Sequence, residues 1–359
     1  MSDLLSRLLA ERDWLLADGA TGTNLFALGL QHGDSPEIWN LEHPERVRQH
    51  YRSFIDAGAD IFLTNTFGGN RHRLKLHGAE EQVYEINKRA AEIAREEADK
   101  QDRPVVVAGS MGPTGELFQP LGALTFDDGK AAFAEQAEGL KAGGVDVLWI
   151  ETLSAVDELR AAVEGAGSVG LPVTSTLSFD TNGRTMMGVM PGQLGQLAHE
   201  MTPSPRAYGG NCGVGASELI VALQNMAKAA QTGDVLIAKS NCGIPQLVGD
   251  RIEYSGTPEL MADYARIARD CGARIIGGCC GTTPDHVARM RAALESHTPG
   301  TAPPVAEVTA RLGEISDGAQ QQAASDDTGD VPTGESARAG GRRRRGGRSA
   351  RREGGGDGD

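Results

Sequence analysis

Apolar residues along the first 300 positions fall into short runs, separated by longer stretches in which they recur every three or four residues. The runs are rich in Val, Ile and Leu and too short for helices, so each reads as a strand buried on both faces. Eight follow one another: LLADGA from Leu15, ADIFLTNTF from Ala59, PVVVAGSMG from Pro104, VDVLWIETL from Val145, LPVTSTLSF from Leu171, AYGGNCG from Ala207, DVLIAKSNCG from Asp234 and ARIIGGCCG from Ala273. The stretches between them, such as ERVRQHYRSFIDAG, EEQVYEINKRAAEIAREEADK and TPELMADYARIARDCG, carry the helical period. Eight strand-helix pairs predict an α/β fold, a (β/α)8 TIM barrel over residues 10–300. A doubly wound open sheet is the alternative, but no GxGxxG follows the first strand.

The pattern changes at both ends. MSDLLSRLLAERDWLLADGA reads as a short amphipathic helix, too interrupted by charge for a secretory signal, and no apolar run approaches the roughly 18 residues that span a bilayer. A cytoplasmic location is the expectation. From Thr298 the chain passes through TPGTAPPVAEV into Gln, Ala, Asp and Gly and ends in GRRRRGGRSARREGGGDGD. With almost no large apolar side chain after Ile315, residues 301–359 are expected to form a disordered Gly/Arg/Asp-rich tail.

Charge sharpens this division. The formal net charge is −14, which argues against a bulk basic nucleic-acid binder. The last 47 residues hold eight Arg and nine Asp or Glu, so nearly all the acidic excess belongs to the folded part. Only the run Arg342–Arg345, with Arg348, Arg351 and Arg352, offers nucleic acid or an acidic partner a foothold, and no aromatics interleave it.

In a barrel the carboxyl ends of the strands form one rim, where the chemistry lies. Here that rim collects Asp18, Asn65, Glu151, Asn211 with Cys212, Asn241, and Cys279 with Cys280. Adjacent cysteines face one centre only where a strand ends and turns, and Gly277, Gly278 and Gly281 supply that freedom. Cys212 in GGNCG adds a third thiol. Three thiolates can hold one Zn²⁺ with its fourth tetrahedral position open, as in a catalytic site, and a redox thiol pair is the competing reading. Cys271, on a helix, and Cys242 read as packing residues.

DGATGTNL, TNTFGG, GSMGPTG, ETLSAVDE, GGNCGVG and GGCCGTTPDH, in that order, resemble the successive motifs of the homocysteine S-methyltransferase family. That family includes betaine-homocysteine methyltransferases and the homocysteine domain of cobalamin-dependent methionine synthase. The resemblance covers residues 10–300 and implies a zinc-dependent barrel with Cys212, Cys279 and Cys280 as ligands. It also implies that Asp18 and Glu151, with the Gly19–Ala20 turn, bind homocysteine, and that Asn241 resembles an Asn that fills the empty zinc position. Read from the residues alone, Asp18 equally well caps the next helix, and Glu151 pairs with a rim Arg.

Methyl transfer to sulfur needs the thiolate, and a homocysteine thiol is a poor nucleophile at neutral pH. Zn²⁺ bound by three thiolates carries a formal −1 charge, −2 with substrate, which favours a cationic methyl donor. Trp39 and Phe67 fall in rim loops where aromatic faces could receive a quaternary ammonium, and Trp39 reads alternatively as a loop anchor packed on the barrel. WNLEHPE resembles the tryptophan loop of betaine-homocysteine methyltransferases, and Phe67 matches an aromatic of their donor pocket. Where the animal enzymes place Tyr next, this chain has Gly68. The expected reaction is therefore methyl transfer from glycine betaine to homocysteine. The alternatives are a sulfonium donor, S-methylmethionine or dimethylsulfoniopropionate, and a methylcorrinoid or methylfolate partner. A reading of another class is a zinc barrel without activity that binds nucleic acid through its tail. No membrane association is expected, and an oligomer is compatible with the sequence.

Overall fold

All eight expected runs become strands of one parallel sheet in the computed structural model, which describes residues 3–243, 245–248 and 251–321. They are β1 (Leu15–Leu16), β2 (Ile61–Leu63), β3 (Val106–Met111), β4 (Val147–Leu153), β5 (Val173–Leu177), β6 (Tyr208–Cys212), β7 (Leu236–Ser240) and β10 (Ala273–Gly278). Between β7 and β10 an antiparallel hairpin, β8 (Pro245–Val248) and β9 (Arg251–Tyr254), interrupts the repeat and was not expected from the hydrophobic pattern. The order β1-β10-β7-β6-β5-β4-β3-β2 runs around a cylinder. Its seam closes where Ala17 bridges Ile61, Asp60 N–H donates to Leu16 O at 2.7 Å and Asp18 N–H to Ile61 O at 3.0 Å.

Two of the crossover helices start on a side-chain cap. Thr125 accepts from Asp128 N–H ahead of Phe126–Gly143, and Thr257 accepts from Leu260 N–H ahead of Pro258–Asp270, where proline occupies the first turn. These helices cover the strands' outward faces, so one apolar layer surrounds the sheet.

Inward positions follow a gradient. Near the amino ends they are Leu15, Ile61, Val106, Val147, Ile237 and Ile275, which form one cluster with Trp149. Further along the same inward rows, four residues on in β3 and β4 and two in β7, the positions turn polar at Ser110, Glu151 and Lys239, all buried. The helix Leu4–Glu11 plugs the apolar end with Leu5, Leu8 and Leu9, about 1.5–3 kcal/mol of burial per leucine. The opposite end is left to polar groups.

The expected boundary at residue 300 is too early. Val305–Leu312 is a helix, and Val308, Leu312, Ile315 and Ala319 are buried. The apolar residues were few but correctly spaced, so they suffice when a neighbouring helix supplies the other half of the contact. Gln224 Nε2 donates to Pro303 O at 2.7 Å, and Ser316 N–H donates to Glu218 Oε1 at 2.7 Å, tying this strap along helix Ala216–Ala229. The Arg-rich run of the tail lies outside the described residues.

Candidate metal centre and active site

Cys212 ends β6 in the left-handed region at φ 59°, followed by Gly213 at 77°. A non-glycine residue held there is strained, and such strain concentrates at functional sites. Thr152, directly after Glu151, is another residue of this kind, at φ 63°. Asn211 links the two strained turns: its Oδ1 accepts from Thr152 N–H at 2.9 Å, and its Nδ2 reaches Thr152 Oγ1 at 2.7 Å and Cys279 Sγ at 3.7 Å.

Beyond β10, Cys279 and Cys280 lie on a turn locked to its neighbours. Cys279 N–H donates to Ser240 O, Cys280 N–H to Asn241 Oδ1 at 3.0 Å, and Cys242 N–H to Cys280 O at 2.8 Å. Gly278 has no room for a side chain, since a Cβ there would lie 2.3 Å from Thr282 Cγ2. Sulfurs from two strands thus meet: Cys212 Sγ is 3.9 Å from Cys280 Sγ, and all three lie within 4.8 Å of one another.

The trio fits a metal. Two sulfurs each about 2.3 Å from a tetrahedral Zn²⁺ stand about 3.8 Å apart, close to the spacing found. The charge argument agrees: bonds to Cys279 and Cys280, and then burial, push the Cys212 thiol far above its ordinary range. Three negative sulfurs this close need a cation. Tyr254, at the end of the unexpected hairpin, stands beside Cys280 and packs its ring against Gly281.

The predicted carboxylates converge on the same rim. Glu151 Oε1 accepts from Ser110 Oγ at 2.5 Å, and burial pushes its carboxyl up to about 7. Asp18 Oδ2 accepts from Leu63 N–H at 2.7 Å, and Oδ1 pairs with Lys239 Nζ at 2.7 Å. Neither Asp18 as a helix cap nor Glu151 paired to an arginine is what is found; Thr21, ahead of Gly22–Ala27, makes no side-chain cap bond. In the Gly19–Ala20 turn, Ala20 N–H donates to Thr282 O at 3.0 Å, and a Cβ on Gly19 would lie 2.6 Å from that same oxygen. The turn and the Cys279–Thr282 loop are therefore one packed unit.

Other expected residues sit differently. Asn241 uses both ends of its amide, Oδ1 accepting from Cys280 N–H and Nδ2 donating to Gly213 O at 2.6 Å, so it clamps the two cysteine loops together. Trp39 is buried, with the Arg46 guanidinium 4.9 Å over its ring and His43 against its edge. Phe67 is exposed on the rim. Gly68 has a physical reason: its N–H donates to Glu37 Oε1 at 2.7 Å, and a Cβ would meet that oxygen at 2.9 Å. Asn65 is structural, bonded to Pro36 O and Asn40. Cys271 and Cys242 are buried packing residues. Lys239, Ser110 and Tyr254 were missed. An isolated Lys or Ser in an apolar run gives no signal in itself, but the inward alternation Ile237–Lys239 would have revealed the lysine.

A closed parallel barrel with three converging thiols and two buried carboxylates at its carboxyl rim defines a barrel enzyme with a metal-competent thiol centre. The chain belongs to the homocysteine S-methyltransferase family, whose model, Homocysteine S-methyltransferase, matches residues 15–294. Methionine synthase of Mycobacterium leprae (strain TN) is 31% identical over 319 residues, covering 84% of this chain and 26% of that protein. The methionine synthase of Mycobacterium tuberculosis (strain ATCC 25618 / H37Rv) is 31% identical over 297 residues, covering 78% and 24%. The chain therefore spans about a quarter of the length of these curated relatives. The metallated form of the homocysteine methyltransferase MmuM from Escherichia coli superposes with a TM-score of 0.68 at 26% identity, covering 80% of this chain and 99% of that one. Among the described residues no helix is long and apolar enough to cross a membrane.

Proposed function

We propose that this protein transfers a methyl group from a small cationic donor to the sulfur of homocysteine, releasing methionine, with Zn²⁺ held by Cys212, Cys279 and Cys280. The observation that carries the reading is the meeting of three sulfurs from two strands at the rim of a barrel of this family. Zn²⁺ in that position supplies a Lewis acid that lowers the pKa of a thiol and fixes its sulfur. The chain's own residues do the rest. Glu151 receives the substrate ammonium, within the field of Asp18. The free N–H groups of the Gly19–Thr23 turn, Ala20's being spent on Thr282, receive the carboxylate. Asn241 and Asn211 hold the cysteine loops so that no reorganisation is needed when the substrate arrives.

Glycine betaine is the first donor of this reading, with Phe67 as its aromatic contact and dimethylglycine as the second product. A sulfonium donor is the second reading, favoured by Trp39: with Arg46 over its ring, an ammonium cage would have Phe67 alone of the two aromatics. A methylcorrinoid or methylfolate partner completes the set. The test is a panel of methyl-labelled donors with L-homocysteine and zinc-replete full-length protein, scored as labelled methionine. Methionine from betaine or a sulfonium compound supports the reading and names the donor. No methionine from any donor would overturn it and leave the scaffold alternative.

A further inference from the structure

Lys239 occupies a place where lysines are rarely found. It lies one inward step above Ile237 on β7, with its side chain 2% exposed. A buried ammonium is heavily penalised unless a carboxylate answers it, and long cationic side chains ordinarily reach for water. Here the answer is Asp18, 221 positions away in sequence, at 2.7 Å. The ammonium also stands 5.6 Å over the buried ring of Trp149. Burial opposes the charge, but Asp18 and then Glu151 outweigh it and hold Lys239 above its ordinary range.

The two carboxylates at this end of the barrel are consequently unequal. Asp18 has both oxygens committed, one to Lys239 and one to Leu63 N–H. Glu151 bonds only the Ser110 hydroxyl through Oε1 and has no ion pair among the described residues. Asp18 is balanced inside the protein, and Glu151 is the carboxylate whose charge remains to be answered.

We infer that Lys239 is a positioning residue for the amino-acid end of the substrate. It neutralises Asp18 and assigns the substrate ammonium to Glu151, the carboxylate there that has no ion pair among the described residues. Without Lys239, two uncompensated carboxylates would repel each other across the pocket, and Asp18 would lose one of its two anchors beside the Gly19–Ala20 turn. The inference rests on the homocysteine reading given above.

Two full-length variants test it, K239M and the double variant D18N/K239M, each checked for zinc content and thermal midpoint. K239M is expected to raise KM for homocysteine about tenfold or more while changing kcat far less, because the metal ligands and donor loop are untouched. D18N/K239M, which removes the pair rather than half of it, is expected to recover most of that loss. An unchanged KM in K239M overturns the inference. So does a joint fall of KM performance, kcat, zinc content and thermal midpoint that the double variant fails to rescue, which is the signature of a purely structural lysine. Calorimetric titration of the zinc-loaded wild type with homocysteine separates the levels. No binding there overturns the homocysteine reading and this inference with it, whereas binding that K239M leaves unaltered overturns the inference alone.

Discussion

The seam where β1 meets β2 contains two buried aspartates that do opposite work. Asp60, at the amino end, accepts Leu16 N–H at 3.0 Å and is surrounded by Arg12 and Arg291 at 2.8 Å and Arg103 at 3.5 Å. Asp18, at the carboxyl end, accepts Leu63 N–H and has one cation, Lys239. The backbone job is the same: a carboxylate stitches the strand opposite at the point of closure. The surroundings differ. Asp60 has more cations than it needs, from arginines that keep contact with solvent, so its end of the barrel is fastened and chemically quiet. Asp18 is balanced by a single buried ammonium beside a second carboxylate and a cluster of three thiols, so its end gathers the groups suited to binding ligands.

The comparison can be broken in stages. The largest effect is expected from Cys280→Ser, which removes one of the three proposed ligands: zinc retention and methionine formation should fall by more than about a hundredfold. Metal analysis showing one zinc per chain in this variant would remove Cys280 from the ligand set. Next comes Asp60→Asn at the fastened end. Leaving three arginines without their shared carboxylate should cost about 3 kcal/mol of stability in denaturant unfolding, with zinc content unchanged. Loss of zinc instead would mean that the ends are not separable.

Glu151→Gln sharpens the contrast because it should do the reverse of Asp60→Asn, weakening homocysteine binding about tenfold or more without lowering stability near neutral pH. The pH dependence has a definite sign. Glu151 ionises near the ordinary 4.5 when unfolded and at about 7 when folded, so between these values the folded state holds a proton that the unfolded state has lost. Stability of the metal-free protein should therefore fall as pH rises through that window, by at most about 3 kcal/mol from this group, and the Gln variant should lack the slope. Unfolding curves at pH 5 and pH 8 check it. The smallest effect belongs to Phe67→Ala, expected to raise KM for a cationic donor about threefold to tenfold with homocysteine KM unchanged. An equal change in both would place Phe67 outside donor recognition.

Much of this was legible in the chain, for reasons specific to each element. The eight strands were readable because strands covered on both faces become unbroken apolar runs, and the cysteines because glycines flank them at strand ends. For Trp39 both an exposed donor contact and a packed loop anchor were readable, and the choice between them depends on its cover, Arg46, from the first turn of the following helix. The strap at Val305–Leu312 escaped because its apolar face is completed by another helix. Lys239 and Tyr254 escaped because their meaning depends on partners far away in sequence, Asp18 and Cys280.

The most direct measurement of the central claim is X-ray absorption at the zinc edge of the full-length protein, before and after homocysteine is added. Three sulfurs at about 2.3 Å should become four. A first shell that homocysteine leaves unchanged, or one without cysteine sulfur, would contradict the account.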